Sequence, residues 1–453
     1  MRYFGTDGIR GKFGTSPIDE EFFPRLAMAV ELFANKKCNR KNLSVCVGRD
    51  TRQSGIPLQK ALIRGFSNAV KVFDGGILPT PAIAEITRHT QSDIGIAITA
   101  SHNPAWDNGI KFFNARGEKF TVSEEEELEQ TLENVTNVIV QKPEVINFHS
   151  EAKQNYCNQY ENFLPNGTLS KKVIALDSAN GATYEVARKI FEHFGAQVIQ
   201  IGNQPDGKNI NDNCGTEHPE ALETLMKQTQ AIIGIAHDGD GDRAIIFDET
   251  GEKIDGDIFL GIIASHLLKT NGLPNKSMVT TVQSNLGLDQ YLRSVGINVI
   301  RCDVGDRNVY QTMVRNDCYF GGENSGHLIF RKFSPVGDGI TAALFTLAIV
   351  TGNNIKLSEL KTKIALFPQK SFNVSVNAKV PLSDIKNLNE DVENINSKLP
   401  SPHRVLVRYS GTEPKLRVLV EAPDQEMVDD AWKDLKKSII DRMTDNGISA
   451  SIL

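Results

Sequence analysis

No apolar stretch in this chain is long enough to cross a bilayer: the most hydrophobic helix candidate, 340–350, falls well short of the roughly 20 residues a spanning helix needs. The opening Met1-Arg2-Tyr3-Phe4-Gly5 lacks the apolar core of a signal peptide, so export is not expected. Cysteine is scarce and unpatterned. The six cysteines, at 38, 46, 157, 214, 302 and 318, form no Cys-x-x-Cys pair and no zinc spacing, which predicts a reducing, cytoplasmic setting. Positive charge is not in excess either: 50 lysines and arginines stand against 56 acidic residues, a net charge of −6, so neither a nucleic-acid nor a membrane partner is expected. No Gly-x-Ser-x-Gly elbow surrounds the most suggestive serine, which argues against a hydrolase triad.

What is present is a globular composition, 40% hydrophobic and 23% charged, over 453 residues, too many for one core. Strand-like apolar runs alternate with amphipathic helix candidates, the pattern of α/β layers. Three strand–polar turn–helix units recur: 43–47 before Gly48-Arg49-Asp50, 173–176 before Asp177-Ser178-Ala179-Asn180-Gly181, and 278–282 before Gln283-Ser284-Asn285-Leu286-Gly287. Their spacing predicts three copies of one mixed-sheet α/β domain, over 1–150, 151–254 and 255–368. After Phe367-Pro368-Gln369 the pattern changes to short alternating strands and a helix over 424–443, a smaller α+β domain over 369–453. The acidic segment 123–133 reads as an exposed helix capped by Ser123, with a solvated face.

Four loops carry chemistry. Ser101, in Ile98-Thr99-Ala100-Ser101-His102-Asn103-Pro104, follows the β-branched run 94–98 and lies beyond a strand's carboxyl end, where α/β sheets bind ligands. A bare serine is a weak nucleophile and needs an activator. Asp238-Gly239-Asp240-Gly241-Asp242-Arg243 crowds three carboxylates into one turn, a costly arrangement that a hard cation such as Mg²⁺ would neutralise. A calcium EF-hand does not fit, because Arg243 takes the position that needs glycine and the flanks look like strands; a solvated Asp-Gly turn is the bland alternative. Gly321-Gly322-Glu323-Asn324-Ser325-Gly326-His327 offers Glu323 and Ser325 to sugar hydroxyls and His327 to a proton, or is an ordinary hairpin turn. Arg404, Arg408, Ser410, Gly411, Thr412, Lys415 and Arg417 make a phosphate cradle around Arg408-Tyr409-Ser410-Gly411-Thr412-Glu413-Pro414, or a solvated basic turn. Arg10, in Gly5-Thr6-Asp7-Gly8-Ile9-Arg10-Gly11, can reach a phosphate, whereas Arg49, Asp50 and Arg52 read better as an ion-pair network behind the site.

These four loops in this order resemble the α-D-phosphohexomutase superfamily over essentially the whole chain. Residues 1–11, Trp106-Asp107-Asn108-Gly109-Ile110-Lys111-Phe112-Phe113 and the double glycine before Glu323 resemble its bacterial hexosamine-phosphate branch. The resemblance implies three related α/β domains and a smaller fourth around a central cleft. It implies a phosphoserine at Ser101, one Mg²⁺ per chain held by Ser101, Asp238, Asp240 and Asp242, and Arg243 stabilising the phosphoryl group in flight. It further implies sugar contacts from Glu323 and Ser325, a phosphate grip by Arg408, Ser410, Gly411, Thr412 and Arg417, and site roles for Arg10 and His102. Lys111 and His327 resemble acid–base or phosphate-positioning groups, and Tyr409 departs from the small residue or proline expected in its loop.

The expected reaction is reversible conversion of glucosamine 6-phosphate to glucosamine 1-phosphate through a glucosamine 1,6-bisphosphate intermediate, by a monomer or homodimer. The rivals are a phosphoglucomutase or phosphomannomutase of the same superfamily, a non-catalytic sugar-phosphate sensor, and a magnesium-dependent phosphatase.

Overall fold

The computed structural model describes residues 1–5, 7–39, 42–136, 142–353, 355–410 and 414–452. The chain divides into two compact units, one of residues 1–283 and 295–363, the other of 284–294 and 364–453.

The first unit holds three mixed sheets built on one plan. In the first sheet, Leu43–Arg49 lies parallel to Val70–Ile77 on one side and Ile94–Ile98 on the other, and Asp107–Asn114 then returns antiparallel beside Ile94–Ile98. Ile9–Lys12 and Glu144–Asn147 form the two edges of this six-stranded sheet. In the second, Val173–Asp177 lies between parallel Gln197–Ile201 and Ile233–His237, and Ala244–Phe247 returns antiparallel. In the third, Ser277–Thr281 lies between parallel Asn298–Cys302 and Phe320–Gly322, and Leu328–Phe330 returns antiparallel. Each copy therefore has one connection from a parallel strand to its antiparallel neighbour, and these connections are 99–106, 238–243 and 323–327. Three of the four loops with chemical character occupy the same place in three copies of one fold. Ile94–Ile98 and Ile233–His237 are buried at every position, as strands covered on both faces must be.

A helix follows the first strand of each copy, at Gly55–Gly65, Val186–His193 and Leu286–Ser294. The third departs from the plan by belonging to the second unit. The Leu286 N–H donates to Glu421 Oε1 at 2.6 Å, and Asn285 exchanges hydrogen bonds with the Phe367 backbone, so side-chain chemistry ties this helix there.

The acidic helix spans Val122–Glu133, and its cap is Thr121, in a reciprocal capping box with Glu124, in place of the expected Ser123. Nor is it solvated all round. Glu125 and Glu129 are buried: Glu125 pairs with Arg307, and Glu129 accepts the N–H groups of Arg2, Tyr3 and Phe4. The 340–350 candidate is the helix Gly339–Asn353, and among the described residues no helix is long and apolar enough to cross a membrane.

The second unit is α+β. Its antiparallel sheet runs in the order Arg404–Tyr409, Lys415–Glu421, Gln369–Val376, Ala450–Ile452, with the helices Leu388–Asn396 and Gln425–Asp445 in the same unit. Alternate residues Phe372, Val374 and Val376 are buried, while Leu388, Val428, Leu435 and Ile439 supply the helical side of the core.

Candidate active site

Ser101 follows the buried strand Ile94–Ile98 with a φ of 52°, a left-handed conformation that costs a residue bearing a Cβ about 1 kcal/mol. Its Oγ donates to Asp238 Oδ2 at 2.8 Å and lies 3.4 Å from His102 Nδ1. Gly239 permits the meeting of the two loops, since a Cβ there would stand 2.7 Å from the Ser101 carbonyl oxygen. Burial, followed by the charge of Arg243, pushes the His102 imidazole down to about 4, so it is neutral near pH 7.

Asp238, Asp240 and Asp242 are all buried and bring carboxylate oxygens within 4.8 Å of one another. At that separation each ionised pair repels by roughly 3 kcal/mol for an effective dielectric of 20. Burial, then Asp242 and Asp240, push the Asp238 carboxyl well above the usual range. One counter-charge is built in. Lys111 Nζ, itself buried, lies 2.9 Å from Asp240 Oδ2, 3.2 Å from Asp242 Oδ2 and 3.0 Å from Asp7 Oδ2. Burial alone would lower the Lys111 pKa, but Asp240, Asp7 and Asp242 outweigh it and hold the ammonium charged. The second oxygen of Asp240 is buried without a hydrogen-bond partner among the described residues, and that of Asp242 faces His327 Nδ1 at 3.5 Å. Oxygen donors with spare lone pairs, held close together, fit a hard divalent cation. The loop joins two strands, and Glu249, at the twelfth position counted from Asp238 where a calcium loop takes its last ligand, accepts from Ser358, so the EF-hand alternative has no support.

Arg10 pairs with Asp7 at 2.5 Å, and its Nε is buried without a partner among the described residues, as is Arg243 Nε. The Arg243 guanidinium stands 3.8 Å from half-exposed Glu217, while the Arg243 backbone N–H donates to Asp238 Oδ1 at 3.2 Å. Both arginines therefore keep donor capacity beside the carboxylates, which suits an anion between them.

The third loop joins this constellation. His327 is buried, its Nδ1 3.5 Å from Asp242 Oδ1 and its Nε2 accepting the Gly337 N–H at 3.2 Å. Burial lowers its pKa, but Asp242 and then Asp306 more than compensate and raise it. The Glu323 carboxyl, raised by burial, accepts the Gly305 N–H at 3.0 Å, and Ser325 in the same turn is exposed. Two residues absent from the sequence reading complete the wall: Lys119 bridges Asp7, at 2.7 Å, and Asp306, whose Oδ2 is 3.4 Å from His327 Nε2. Neither lies in a recognisable motif, and contacts across 187 residues leave no local signal.

Behind Ser101, the Asp50–Arg52 pair has no exposed side-chain surface, as the ion-pair reading of 49–52 expects. The Arg52 guanidinium donates to the carbonyl oxygens of Ser101 and Asn103 at 2.9 and 2.7 Å.

The fourth loop belongs to the second unit. Arg408 and Arg417 stand directly opposite each other in the antiparallel register, a like-charge pairing that an anion between them would relieve. Buried Ser410 donates its N–H to Lys415 O at 2.8 Å and accepts at its carbonyl from Lys379 Nζ at 2.6 Å. Gly411 and Thr412 lie outside the described residues. Arg404 sits at the other end of the hairpin, paired with buried Glu421 and donating to Ser284 O at 3.0 Å, so it ties the unit together at a distance from the turn.

The sequence matches the phosphoglucomutase/phosphomannomutase domains throughout: alpha/beta/alpha domain I over 1–138, II over 154–251, III over 255–367 and the C-terminal domain over 372–437. The chain belongs to the phosphoglucomutase/phosphomannomutase family. Among its relatives, phosphoglucosamine mutase of a Sulfurovum species is 39% identical, covering 97% of this chain and 100% of the relative, and that of Histophilus somni is 41% identical over 94% and 96%. Among solved structures, a phosphoglucomutase/phosphomannomutase family protein from Burkholderia thailandensis shares the fold, with a TM-score of 0.79 at 21% identity over 97% and 96% of the two chains. So does Aspergillus fumigatus N-acetylphosphoglucosamine mutase, solved with GlcNAc-6P and magnesium, with a TM-score of 0.67 at 17% identity over 97% and 96%.

Proposed function

We propose that this chain is a phosphoglucosamine mutase, interconverting glucosamine 6-phosphate and glucosamine 1-phosphate through a phosphorylated Ser101. One observation carries the reading: the Ser101 hydroxyl meets the three-aspartate loop at 2.8 Å, in a chain whose full-length relatives bear that name.

In the forward direction the phosphoryl group leaves Ser101 Oγ for the free hydroxyl of the sugar phosphate. The P–O bond to serine breaks, a P–O bond to the sugar forms, the proton of the sugar hydroxyl ends on Ser101 Oγ, and glucosamine 1,6-bisphosphate results. After the bisphosphate turns over, its other phosphoryl group returns to Ser101 and the product leaves. Asp238, Asp240 and Asp242, with the Ser101 phosphoryl group, would hold one Mg²⁺, which supplies charge neutralisation to the transferring group. Arg243 and Arg10, each with an unspent Nε, stabilise the equatorial oxygens. Lys111 spends its ammonium on three carboxylates and serves as the standing counter-charge; His327 moves the proton of the attacking hydroxyl. Neutral His102 orients Ser101 Oγ, Glu323 and Ser325 bind sugar hydroxyls, and Arg408, Ser410, Gly411, Thr412 and Arg417 bind the phosphate that is not transferred. Cys46, Cys157, Cys214, Cys302 and Cys318 are free thiols, which supports a cytoplasmic setting.

Incubation with glucosamine 6-phosphate, glucose 6-phosphate and mannose 6-phosphate tests the reading. Rapid 1-phosphate formation from the first is expected. Preference for glucose or mannose would make the chain a phosphoglucomutase or phosphomannomutase, and free phosphate as the main product would make it a phosphatase.

A further inference from the structure

The guanidinium of Arg52 is wholly buried, and every one of its five N–H groups is spent on the Ser101 loop, on the first residue of the strand after it, or on the carboxylate beside it. Nε donates to Asp50 Oδ2 at 2.9 Å. Nη1 donates to the carbonyls of Asp107, at 3.0 Å, and Pro104, and Nη2 to those of Ser101 and Asn103, at 2.9 and 2.7 Å. Asp50 in turn accepts from Thr99 Oγ1 at 2.7 Å, and Thr99 Oγ1 accepts the Ser101 N–H at 2.9 Å. From the second α/β sheet's side, the Asn211 Nδ2 grips the same two oxygens, Ser101 O at 2.9 Å and Asn103 O at 3.0 Å. Two planar donor groups thus share two carbonyls that flank His102, and the serine between strand and clamp is the loop's left-handed residue.

We propose that Arg52 and Asn211 are positioning residues for Ser101, holding its backbone in the left-handed conformation from which its hydroxyl reaches Asp238. The inference rests on Ser101 being the phosphoryl carrier of the proposed function. Phosphoryl transfer depends on placing donor and acceptor oxygens in line, so a loosened serine loop lowers the rate of transfer. Sugar binding, assigned to other loops, is left alone. Lysine cannot replace Arg52, because an ammonium has three donors and no fork.

Two variants separate positioning from general stability. Arg52→Lys keeps the charge and deletes the fork. Asn211→Gly deletes the amide and tolerates the φ of 56° at that position, so its backbone is not strained. Rates are measured per folded molecule, with the fraction folded read by circular dichroism. For Arg52→Lys, kcat is expected to fall on the order of 10²-fold. Asn211→Gly should lose about ten-fold, with KM for glucosamine 6-phosphate within about two-fold of wild type in both. Transfer from glucosamine 1,6-bisphosphate to Ser101, followed by intact mass, should slow in parallel with kcat. If Arg52→Lys does not fold, Asn211→Gly carries the test.

Wild-type kcat in folded Asn211→Gly, or a loss confined to thermal stability, overturns the inference. The intact mass of the wild-type enzyme distinguishes the two failures. A wild type that never carries a phosphoryl group at Ser101 sinks the proposed function and this inference with it, whereas phosphorylated wild type with unaffected variants sinks only the inference.

Discussion

Replacing Lys111 by methionine removes the counter-charge of the acidic loop while nearly conserving volume. Its ammonium lies 2.9–3.2 Å from Asp240, Asp242 and Asp7. At an effective dielectric of 20 each contact is worth roughly 5 kcal/mol of gross attraction, most of it offset by the desolvation of buried charges. What remains when one partner is removed is the penalty of leaving the others uncompensated, about 3–5 kcal/mol. Lys111→Met should therefore lower the thermal unfolding temperature of the first unit markedly in the presence of EDTA. Mg²⁺ should restore more stability to the variant than it adds to wild type, because a divalent cation then takes over the role of the ammonium. Differential scanning calorimetry with and without Mg²⁺ reads both effects. A variant that melts with wild type in EDTA would refute the charge-compensation argument, and equal stabilisation of both proteins by Mg²⁺ would refute the link between lysine and metal.

Three further outcomes follow from single contacts. Glu129 is buried and accepts three backbone N–H groups, which, against burial, hold its carboxyl below the usual value of 4.5; the stability this supplies is present above pH 4.5 and is lost as pH falls through the lower folded value. Glu129→Gln should cost about 2 kcal/mol at pH 7, judged by denaturant unfolding, and the gap to wild type should narrow below pH 4.5. Arg417→Ala should raise KM for the sugar phosphate about ten-fold or more with a smaller change in kcat, and an unaltered KM would remove Arg417 from the phosphate grip. At Gly337 a Cβ would stand 2.3 Å from His327 Nε2, so Gly337→Ala should displace the imidazole and reduce kcat in a protein that remains folded by circular dichroism.

The legibility of this molecule in its sequence follows the length of its signals. Ser101, the three aspartates, Glu323 and His327 are readable because each lies in a short run whose residue types make chemical sense together, and the strand patterns around them place the runs in loops. The threefold plan is readable from the strand–turn–helix units, although the transfer of the helix Leu286–Ser294 to the second unit depends on Glu421 and Phe367, far along the chain. Lys119, Asp306 and Asn211 are invisible because the contacts that tie them in, Lys119 with Asp306 and Asn211 with Ser101, span more than a hundred residues, where no local pattern constrains the spacing. The acidic helix shows a subtler failure. Thr121 and Ser123 each precede a glutamate by three residues, so two capping boxes compete in the sequence. The structure uses the earlier one, with Glu125, Leu128 and Leu132 on the buried face. Arg52 was readable as a buried ion-pair member, but the loop it grips is defined only by the folded backbone.

The most direct test of the central claim is the intact mass of the purified enzyme and of Ser101→Ala after incubation with glucosamine 1,6-bisphosphate. One added phosphoryl group is expected in wild type, mapped to Ser101, and none in an inactive Ser101→Ala variant. A Ser101→Ala enzyme that still interconverts glucosamine 6-phosphate and glucosamine 1-phosphate without that added mass would contradict it.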